Sequence, residues 1–414
     1  MSLIDINSNN LEVLIFAWNA GGKKICKNEL KQNNKDVIKS DCIIPNFMIN
    51  FSQKINQYKP KIFVIVTEDE SESNTYFHSD YLENVFIKNI NKNNKNKTDN
   101  YKFIKREKIN DSFTYTTINN NKINTSVRIS IYGKNIPNFS NIFTKVITMK
   151  QNEYYTGACA IYLTYLHENY CFIATKFLSN MDEKLNLDFE TYRFANIQFN
   201  NLYMINIKNK LLDNTDINLK PNKIYIIGDL DYIVNSYNDE FKYNPENKKK
   251  TLDYLFYWYN FKKEYEKIKP TSDNKEENNN LKYFSPEEDG FFIDNEYTND
   301  DNKNSEIKEY LNYLKLNDEL SIELNNKNNL ILKDFKEGIQ NNGPAFLYPE
   351  YKLLTTRDSE KIEDSNYDLK GKDSPSFNNR IIYNSDIKCK LYENYQHGNM
   401  NFSESSGIIG FYKF

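Results

Sequence analysis

Short runs of apolar residues recur along this chain, and several of them end at a polar residue or a glycine. Their β-branched and aromatic content is typical of buried strands. Apolar residues near helical spacing predict helices at Phe47–Ile55 and Phe189–Ile207. Strands that alternate with helices predict an α/β architecture with one or two mixed sheets. The predicted strands are Leu11–Trp18, Ile62–Thr67, Val127–Tyr132, Ala158–Tyr165, Tyr170–Thr175 and Ile224–Ile227.

Polar segments rich in Asn and Lys interrupt this pattern, and one of them covers about residues 235–305. It contains an aromatic stretch with helical character, Leu252–Tyr265. We interpret this region as a polar, partly helical insertion and not as a second catalytic domain. Residues 1–414 are therefore predicted to form a single domain that carries one insertion.

The formal net charge of −3 over 414 residues leaves no overall basic field that would attract nucleic acid. The five cysteines are scattered and form no Cys-x-x-Cys pair, which disfavours a disulfide framework or a zinc site and fits a reducing compartment. The chain begins without a signal-peptide pattern, and no apolar run approaches the roughly 18 residues of a membrane span. We therefore expect a soluble intracellular protein located in the cytoplasm.

Carboxylates follow two of the predicted strands. One strand runs into Gly228-Asp229-Leu230-Asp231-Tyr232, and another ends in Thr67-Glu68-Asp69-Glu70. The carboxyl ends of strands are where open α/β sheets place their sites, although Asp-rich turns there are most often structural. Adjacent carboxylates repel one another unless solvent or a cation neutralises them. Asn19, at the end of the first predicted strand, is a further oxygen donor on a tight turn.

Read in order, these segments and several later ones resemble the endonuclease/exonuclease/phosphatase superfamily, and most closely the inositol polyphosphate 5-phosphatases. No single motif is decisive, but the ordered set is fairly specific and extends over nearly the whole chain outside the insertion. The similar segments are Trp18-Asn19, Glu68-Asp69, Gly157-Ala158, Gly228 to Tyr232, Asn317 to Leu320, Phe335 to Gly338, Pro349 to Lys352, Pro375 to Arg380 and Ser403 to Ile408.

The resemblance implies a four-layer, DNase I-like α/β sandwich with two mixed sheets packed face to face, and Mg²⁺-dependent hydrolysis of a phosphoester. A hard cation prefers oxygen ligands, and phosphoryl transfer depends on positioned charge. In this scheme Asp229 orients or deprotonates the attacking water, and Asp231 contacts the phosphoryl oxygens. The implied metal ligands are Asn19 and Asp69 or its neighbour Glu68, with Glu404 as another carboxylate near the metal. Lys352 and Arg380 are the substrate-binding cations that remain, and Arg128 and Lys176 are predicted to add positive charge for binding substrate near the cleft.

The sequence departs from the family pattern at positions that carry its chemistry. Ser405 and Lys176 stand where the family has histidines, Asn379 stands where it has an acid, and Asp231 stands where it has asparagine. The chain has three histidines, and none aligns with either family position. Loss of one acid–base or charge-stabilising group often costs ~10²–10⁴-fold in rate. We therefore expect hydrolysis to be reduced or lost, with Glu404, Asn379, Asp229 and Asp231 as the remnant of the catalytic set.

Two functions stay open at this point. One is a binding module for a phosphorylated inositol, a phosphoinositide headgroup or a protein, which keeps the sandwich and either retains or loses Mg²⁺. The alternative is an active Mg²⁺-dependent phosphatase acting on such ligands. A nuclease is disfavoured by the near-neutral charge.

Overall fold

A computed structural model gives the architecture of the parts of the chain that it describes. Those residues are 11–19, 44–68, 82–83, 85–92, 99–109, 114–116, 122–124, 126–151, 154–177, 189–213, 220–232, 318–339, 379–384, 386–395 and 407–413.

Two six-stranded mixed sheets form the centre of the molecule. In the first sheet only β1 and β2 are parallel, and in the second only β9 and β10 are parallel. In spatial order, the first sheet contains β13 (Lys388–Tyr395), β14 (Gly407–Lys413), β1 (Val13–Asn19), β2 (Ile62–Glu68), β6 (Val127–Gly133) and β3 (Lys102–Lys108). The second contains β11 (Phe335–Glu337), β12 (Asn379–Asn384), β10 (Lys223–Asp229), β9 (Glu168–Lys176), β8 (Tyr154–Tyr165) and β7 (Phe139–Gln151). A separate hairpin pairs β4 (Thr114–Thr116) with β5 (Lys122–Asn124).

Helices cover the outer faces of both sheets. Phe51 of α1 packs with Phe16 and Phe63 of the first sheet, while Met204 of α3 packs with Ile226 of the second. The layers are therefore helix, sheet, sheet and helix. The helices are α1 (Ile44–Tyr58), α2 (Ile87–Asn91), α3 (Phe189–Ile207) and α4 (Glu319–Asn325).

The core between the sheets is built from alternate residues of the central strands. Ala17 and Val66 from the first sheet pack in one cluster with Ala174 and Ile227 from the second. Because side chains alternate between the two faces of a strand, every second residue of these strands points toward the facing sheet. Their intervening neighbours are also buried, under the helices, which explains the nearly continuous apolar runs in the sequence.

The predicted fold class, two mixed sheets packed face to face in an α/β sandwich, is confirmed. All of the predicted strands and both predicted helices are present, most of them a few residues longer than predicted. The strands that the sequence patterns did not indicate include β3, β7 and β12 to β14. No helix in the described ranges is long and apolar enough to cross a membrane. The proposed insertion at 235–305 lies outside those ranges, so the single-domain organisation stays a prediction.

A candidate site where the two sheets meet

Three oxygen-bearing side chains end their strands on the inner faces of the sandwich. Asn19 follows Ala17 on β1, Glu68 follows Val66 on β2, and Asp229 follows Ile227 on β10, each two residues beyond a residue of the core between the sheets. We call Asn19, Glu68 and Asp229 the site cluster. All three are buried. The parallel pairing of β1 with β2 sets Asn19 directly beside Glu68.

The site cluster bridges the two sheets through hydrogen bonds to Asp229. The Asn19 Nδ2 atom donates to Asp229 Oδ2 at 3.4 Å, and the backbone amide of Asp229 donates to Glu68 Oε1 at 2.8 Å. Thus two residues of the first sheet converge on one residue of the second. The Glu68 carboxylate lies against the backbone of Asp229, whose own carboxylate accepts from Asn19, and acids on neighbouring strand ends favour the binding of a cation.

Gly228 makes this convergence possible. Its φ is +135°, a conformation that residues with a side chain rarely adopt. A Cβ atom at this position would overlap both the carbonyl oxygen of Thr175 and Oε1 of Glu68. The absence of a side chain at Gly228 therefore allows the Glu68 carboxylate to reach over β10 and accept a hydrogen bond from the backbone amide of Asp229. Gly228, which ends the predicted strand in the sequence, is therefore required for the close approach of the two sheets.

The residues after Asp229 form a tight turn that α3 holds in place. The amide of Asp231 donates to Asp229 Oδ1 at 3.2 Å, an Asx turn, and Asp231 itself has a φ of 51°. Asn200 Nδ2 donates to the Asp231 carbonyl at 2.9 Å. Burial raises the pKa of Tyr203 to about 12, and the negative charge of Asp231 adds to this rise. The Asp231 carboxylate therefore lies within electrostatic range of α3. Asn200 and Tyr203 were not predicted as site neighbours, because nothing in their local sequence marks them.

Two further predicted residues flank Asp229 within the second sheet. Asn379 is directly opposite Asp229 in the antiparallel pair of β12 with β10. Lys176 ends β9 two residues after Ala174 of the inner core, and Thr175 Oγ1 next to it donates to the Gly157 carbonyl at 2.9 Å. Asn379 and Lys176 are both buried. One amide and one ammonium group therefore accompany the carboxylates at this end of the sandwich.

The two predicted arginines lie on the outer faces of their sheets. Arg128 alternates with the inner-core residues Val127 and Ile129 on β6, so it shares the helix-facing side of the first sheet. Arg380 alternates with Ile381 on β12, and its guanidinium donates four hydrogen bonds to Asp318 and Glu337. Its predicted role in binding substrate therefore has no support in its contacts. Asp69, Lys352 and Glu404 lie outside the described residues.

The donor chemistry of the site cluster fits a hard divalent cation. Two carboxylates and one amide oxygen are the ligand types that Mg²⁺ and Ca²⁺ prefer. Within the described ranges there is no group of three or more His, Cys, Asp and Glu side chains arranged to hold a metal. A cation at Glu68 and Asp229 would accordingly need water or a ligand's own oxygens to complete its shell.

Comparison with solved structures shows the fold of the chain. The chain has the endonuclease/exonuclease/phosphatase, or DNase I-like, fold. An endonuclease/exonuclease/phosphatase family protein from Bacteroides thetaiotaomicron aligns over 98% of both chains with 8% identity, and its TM-score of 0.38 adds no support to this fold. The sequence itself matches no protein-family model and no curated protein at a significant level.

Two solved structures are more similar. The inositol polyphosphate 5-phosphatase domain of spSynaptojanin, in complex with inositol 1,4-bisphosphate and calcium, has a TM-score of 0.51 and 13% identity, and the match covers 98% of this chain and 84% of that one. Cimex nitrophorin in its ferrous nitric oxide complex has a TM-score of 0.50 and 13% identity over 98% of both chains. At these identities the likeness establishes a shared fold.

Proposed function

We propose that this protein binds a phosphorylated inositol or a phosphoinositide headgroup at the site cluster, together with a divalent cation, and that it hydrolyses the ligand slowly or not at all. The observation that carries the proposal is the convergence of Asn19 and Glu68 on Asp229 across the two sheets. Such a set of oxygen donors holds a cation, and a cation in turn recruits phosphate.

Lys176 supports the preference for an anionic ligand. It ends β9 on the inner face of the same sheet and is 9% exposed, beside the strand that carries Asp229. An ammonium group held in low-dielectric surroundings attracts a phosphate more strongly than an exposed lysine does. A lysine side chain carries three hydrogen-bond donors that phosphate oxygens can accept.

Reduced turnover is proposed because proton-transferring groups are replaced. Lys176, Ser405 and Asn379 stand where the resembling family has two histidines and an acid. The two solved neighbours also show different ligands on one fold. One is a phosphatase domain holding inositol 1,4-bisphosphate and calcium, and the other is a nitrophorin holding nitric oxide. Function on a shared fold is decided by the residues of the site.

An active Mg²⁺-dependent phosphatase is the second candidate. Asp229 favours it, because its carboxylate is buried, oriented by Asn19 and able to accept a proton from water. In such an enzyme a bound Mg²⁺ would stabilise charge on the phosphoryl oxygens, while Asp229 would orient the attacking water and Lys176 would hold the ligand's phosphate. Glu68 would keep the Asp229 backbone in place.

Calorimetric titration with soluble inositol polyphosphates, with and without Mg²⁺ or Ca²⁺, tests the proposal alongside a phosphate-release assay. We expect cation-dependent binding that weakens about tenfold or more in Asp229→Asn and Lys176→Met. Lys54→Met is the matched control, since the partly exposed Lys54 lies on helix α1 and pairs with Glu393 of β13.

The outcomes separate the two candidates. Binding without phosphate release supports the binding module. Cation-dependent release that Asp229→Asn abolishes supports the phosphatase. Absence of binding by the parent protein, with and without cations, would overturn both for these ligands.

A further inference from the structure

A second polar cluster lies behind the site, on the outer face of the second sheet. Arg380 Nη1 and Nη2 donate to the two carboxylate oxygens of Asp318 at 2.8 Å each, while Nε and Nη2 donate to the two oxygens of Glu337, at 2.6 Å for Nε. All three side chains are essentially inaccessible to solvent. We call Arg380, Asp318 and Glu337 the ion cluster. It joins three segments that the sequence motifs had grouped with the site.

The ion cluster fastens several elements together. Asp318 also caps α4, because its Oδ2 accepts from the Ser321 amide at 2.9 Å. Tyr392 on β13, in the first sheet, donates its hydroxyl to Glu337 Oε1 at 2.6 Å. The same hydroxyl accepts from the Ile381 amide at 2.9 Å. One guanidinium therefore links α4, β11 and β12, and Tyr392 extends the link to the other sheet.

The backbone of Arg380 belongs to the site. In the β10–β12 ladder Arg380 is opposite Gly228, and the preceding residue Asn379 is opposite Asp229. The start of β12 is thus the immediate antiparallel neighbour of the residues on which the site cluster converges. Any shift of β12 along β10 would move Asn379 away from Asp229 and would break the pairing of Arg380 with Gly228.

Tyr232 brings the turn after Asp229 toward the same cluster. It is fully buried, and its hydroxyl donates to Asn201 Oδ1 of α3 at 3.2 Å. Burial raises the pKa of Tyr232 well above its usual value, the charges of Glu323 and Glu319 raise it further, and Arg380 acts in the opposite direction. The Tyr232 ring therefore lies within electrostatic range of the Arg380 guanidinium. β12 carries Arg380 itself, and the turn that follows β10 lies within its electrostatic range.

We propose that Arg380 is a positioning residue: its two-sided clamp on Asp318 and Glu337 fixes the register and tilt of β12 against β10, and so holds Asp229 in reach of Glu68 and Asn19. A planar guanidinium with two bidentate partners defines an orientation, whereas a lysine ammonium in the same place supplies charge without a fixed geometry. The inference rests on the proposed function only where ligand binding is the readout.

Stability alone is a poor explanation for such a cluster. Buried ion pairs carry a large desolvation cost, and well-packed apolar residues often replace them without loss of stability. What an apolar group cannot reproduce is the directional fit of four hydrogen bonds. The cluster therefore favours a role in local geometry at the point where β12 meets the site.

Hydrogen exchange of backbone amides in Arg380→Lys tests the proposal without any ligand. The Asp229 amide, which donates to Glu68, should exchange at least about tenfold faster relative to amides of β1 and β2 in the same protein. Arg106→Lys is the matched control, since Arg106 bonds Glu83 and Ser130 on the outer face of the first sheet. It should leave exchange at Asp229 unchanged.

Ligand affinity gives the second readout. Arg380→Lys should weaken cation-dependent inositol polyphosphate binding about tenfold, while Arg106→Lys should not change it. If exchange at Asp229 accelerates but the parent binds no such ligand, the positioning role stands and the proposed function fails. Uniform acceleration across both sheets, or unchanged exchange at Asp229, would overturn the positioning role. Should Arg380→Lys fail to fold, Glu337→Gln serves in its place. We expect it, too, to accelerate exchange of the Asp229 amide relative to amides of β1 and β2.

Discussion

The site cluster and the ion cluster contain similar residue types but arrange their charges in different ways. In the site cluster, Glu68 and Asp229 place two acids together with the Asn19 amide across the two sheets. In the ion cluster, by contrast, Arg380 sits between two acids and donates to both. The first arrangement presents carboxylate oxygens that a cation can bind, whereas in the second the carboxylate oxygens already accept hydrogen bonds from Arg380. The site cluster is therefore the one of the two that carries the proposed binding function.

The two clusters also differ in the face of the sheet they occupy. Residues of the site cluster point inward at one end of the sandwich, while Arg380 points outward beneath α4. Asn379 and Arg380 are adjacent in the chain, yet alternation along the strand sends them to opposite sides of the sheet. Removing a member of each cluster should consequently have very different effects on stability.

The largest expected effect is that of Arg380→Ala. Removing the guanidinium leaves two buried carboxylates without their cation, which should lower the free energy of unfolding by about 3–5 kcal/mol. Urea unfolding followed by fluorescence measures it. Arg106→Ala, which breaks a half-buried pair with Glu83, should cost about 1 kcal/mol. If Arg380→Ala lowers the free energy of unfolding no more than Arg106→Ala does, the ion cluster does not depend on the charge of Arg380.

Gly228→Ala should rank second. The φ of +135° and the overlap with the Thr175 carbonyl should lower the free energy of unfolding by at least about 1–3 kcal/mol, measurable by the same urea titration. Because the methyl group also displaces Glu68, cation-dependent binding should disappear in parallel. Gly133→Ala, at the other end of the first sheet, where a Cβ atom would meet the Ile104 and Ile62 side chains, is the control for steric crowding away from the site. Retained binding in Gly228→Ala would show that Glu68 is not needed.

A pH titration of stability should sharpen the contrast further. Burial raises the pKa of Glu337, and Arg380 only partly offsets this. A group with a raised folded pKa stabilises the protein below its unfolded pKa and loses that contribution as pH rises through the folded value. The stability advantage of the parent over Glu337→Gln should therefore shrink as pH rises above the ordinary pKa of glutamate, by about 1.4 kcal/mol for each pH unit that separates the folded from the unfolded pKa. Thermal unfolding at several pH values measures it, and an advantage that grows with pH would refute it.

The smallest effect on stability should come from Asp229→Asn. An asparagine keeps one acceptor for the Asp231 amide and removes a negative charge next to Glu68. We expect the free energy of unfolding to change by no more than about 1 kcal/mol, while ligand binding falls strongly. A destabilisation similar to that of Arg380→Ala would mean that Asp229 is mainly structural.

Much of the fold was predictable because the central strands are buried on both faces. β1 and β2 are apolar at most positions, and β9 has a continuous apolar run from Tyr170 to Ala174, so their patterns are unambiguous. Strand β3 was missed because its sequence, KFIKREK, is mostly charged and lies at the edge of a sheet. Edge strands need not bury both faces, and charge protects them from pairing with other chains.

The strand-end residues Asn19, Glu68 and Asp229 were predictable as site candidates, and the structure brings them together. The face on which an arginine lies was not predictable in the same way. On β6 both Arg128 and its neighbours are buried, so the sequence pattern does not reveal which side faces the other sheet. The partners of Arg380 come from segments more than 40 residues away, and only the tertiary fold pairs them.

The pairing of β14 with β1 has a consequence for how the chain acquires its structure. Residues Ile408 to Tyr412 complete the first sheet by pairing with Val13 to Ala17, so the central part of that sheet depends on contacts across almost 400 positions. Such long-range pairing slows folding, because a large loop must close before the contacts form. During synthesis, the edge of β1 that pairs with β14 stays open until almost 400 further residues have left the ribosome. Its apolar edge would be a natural target for chaperones during that interval.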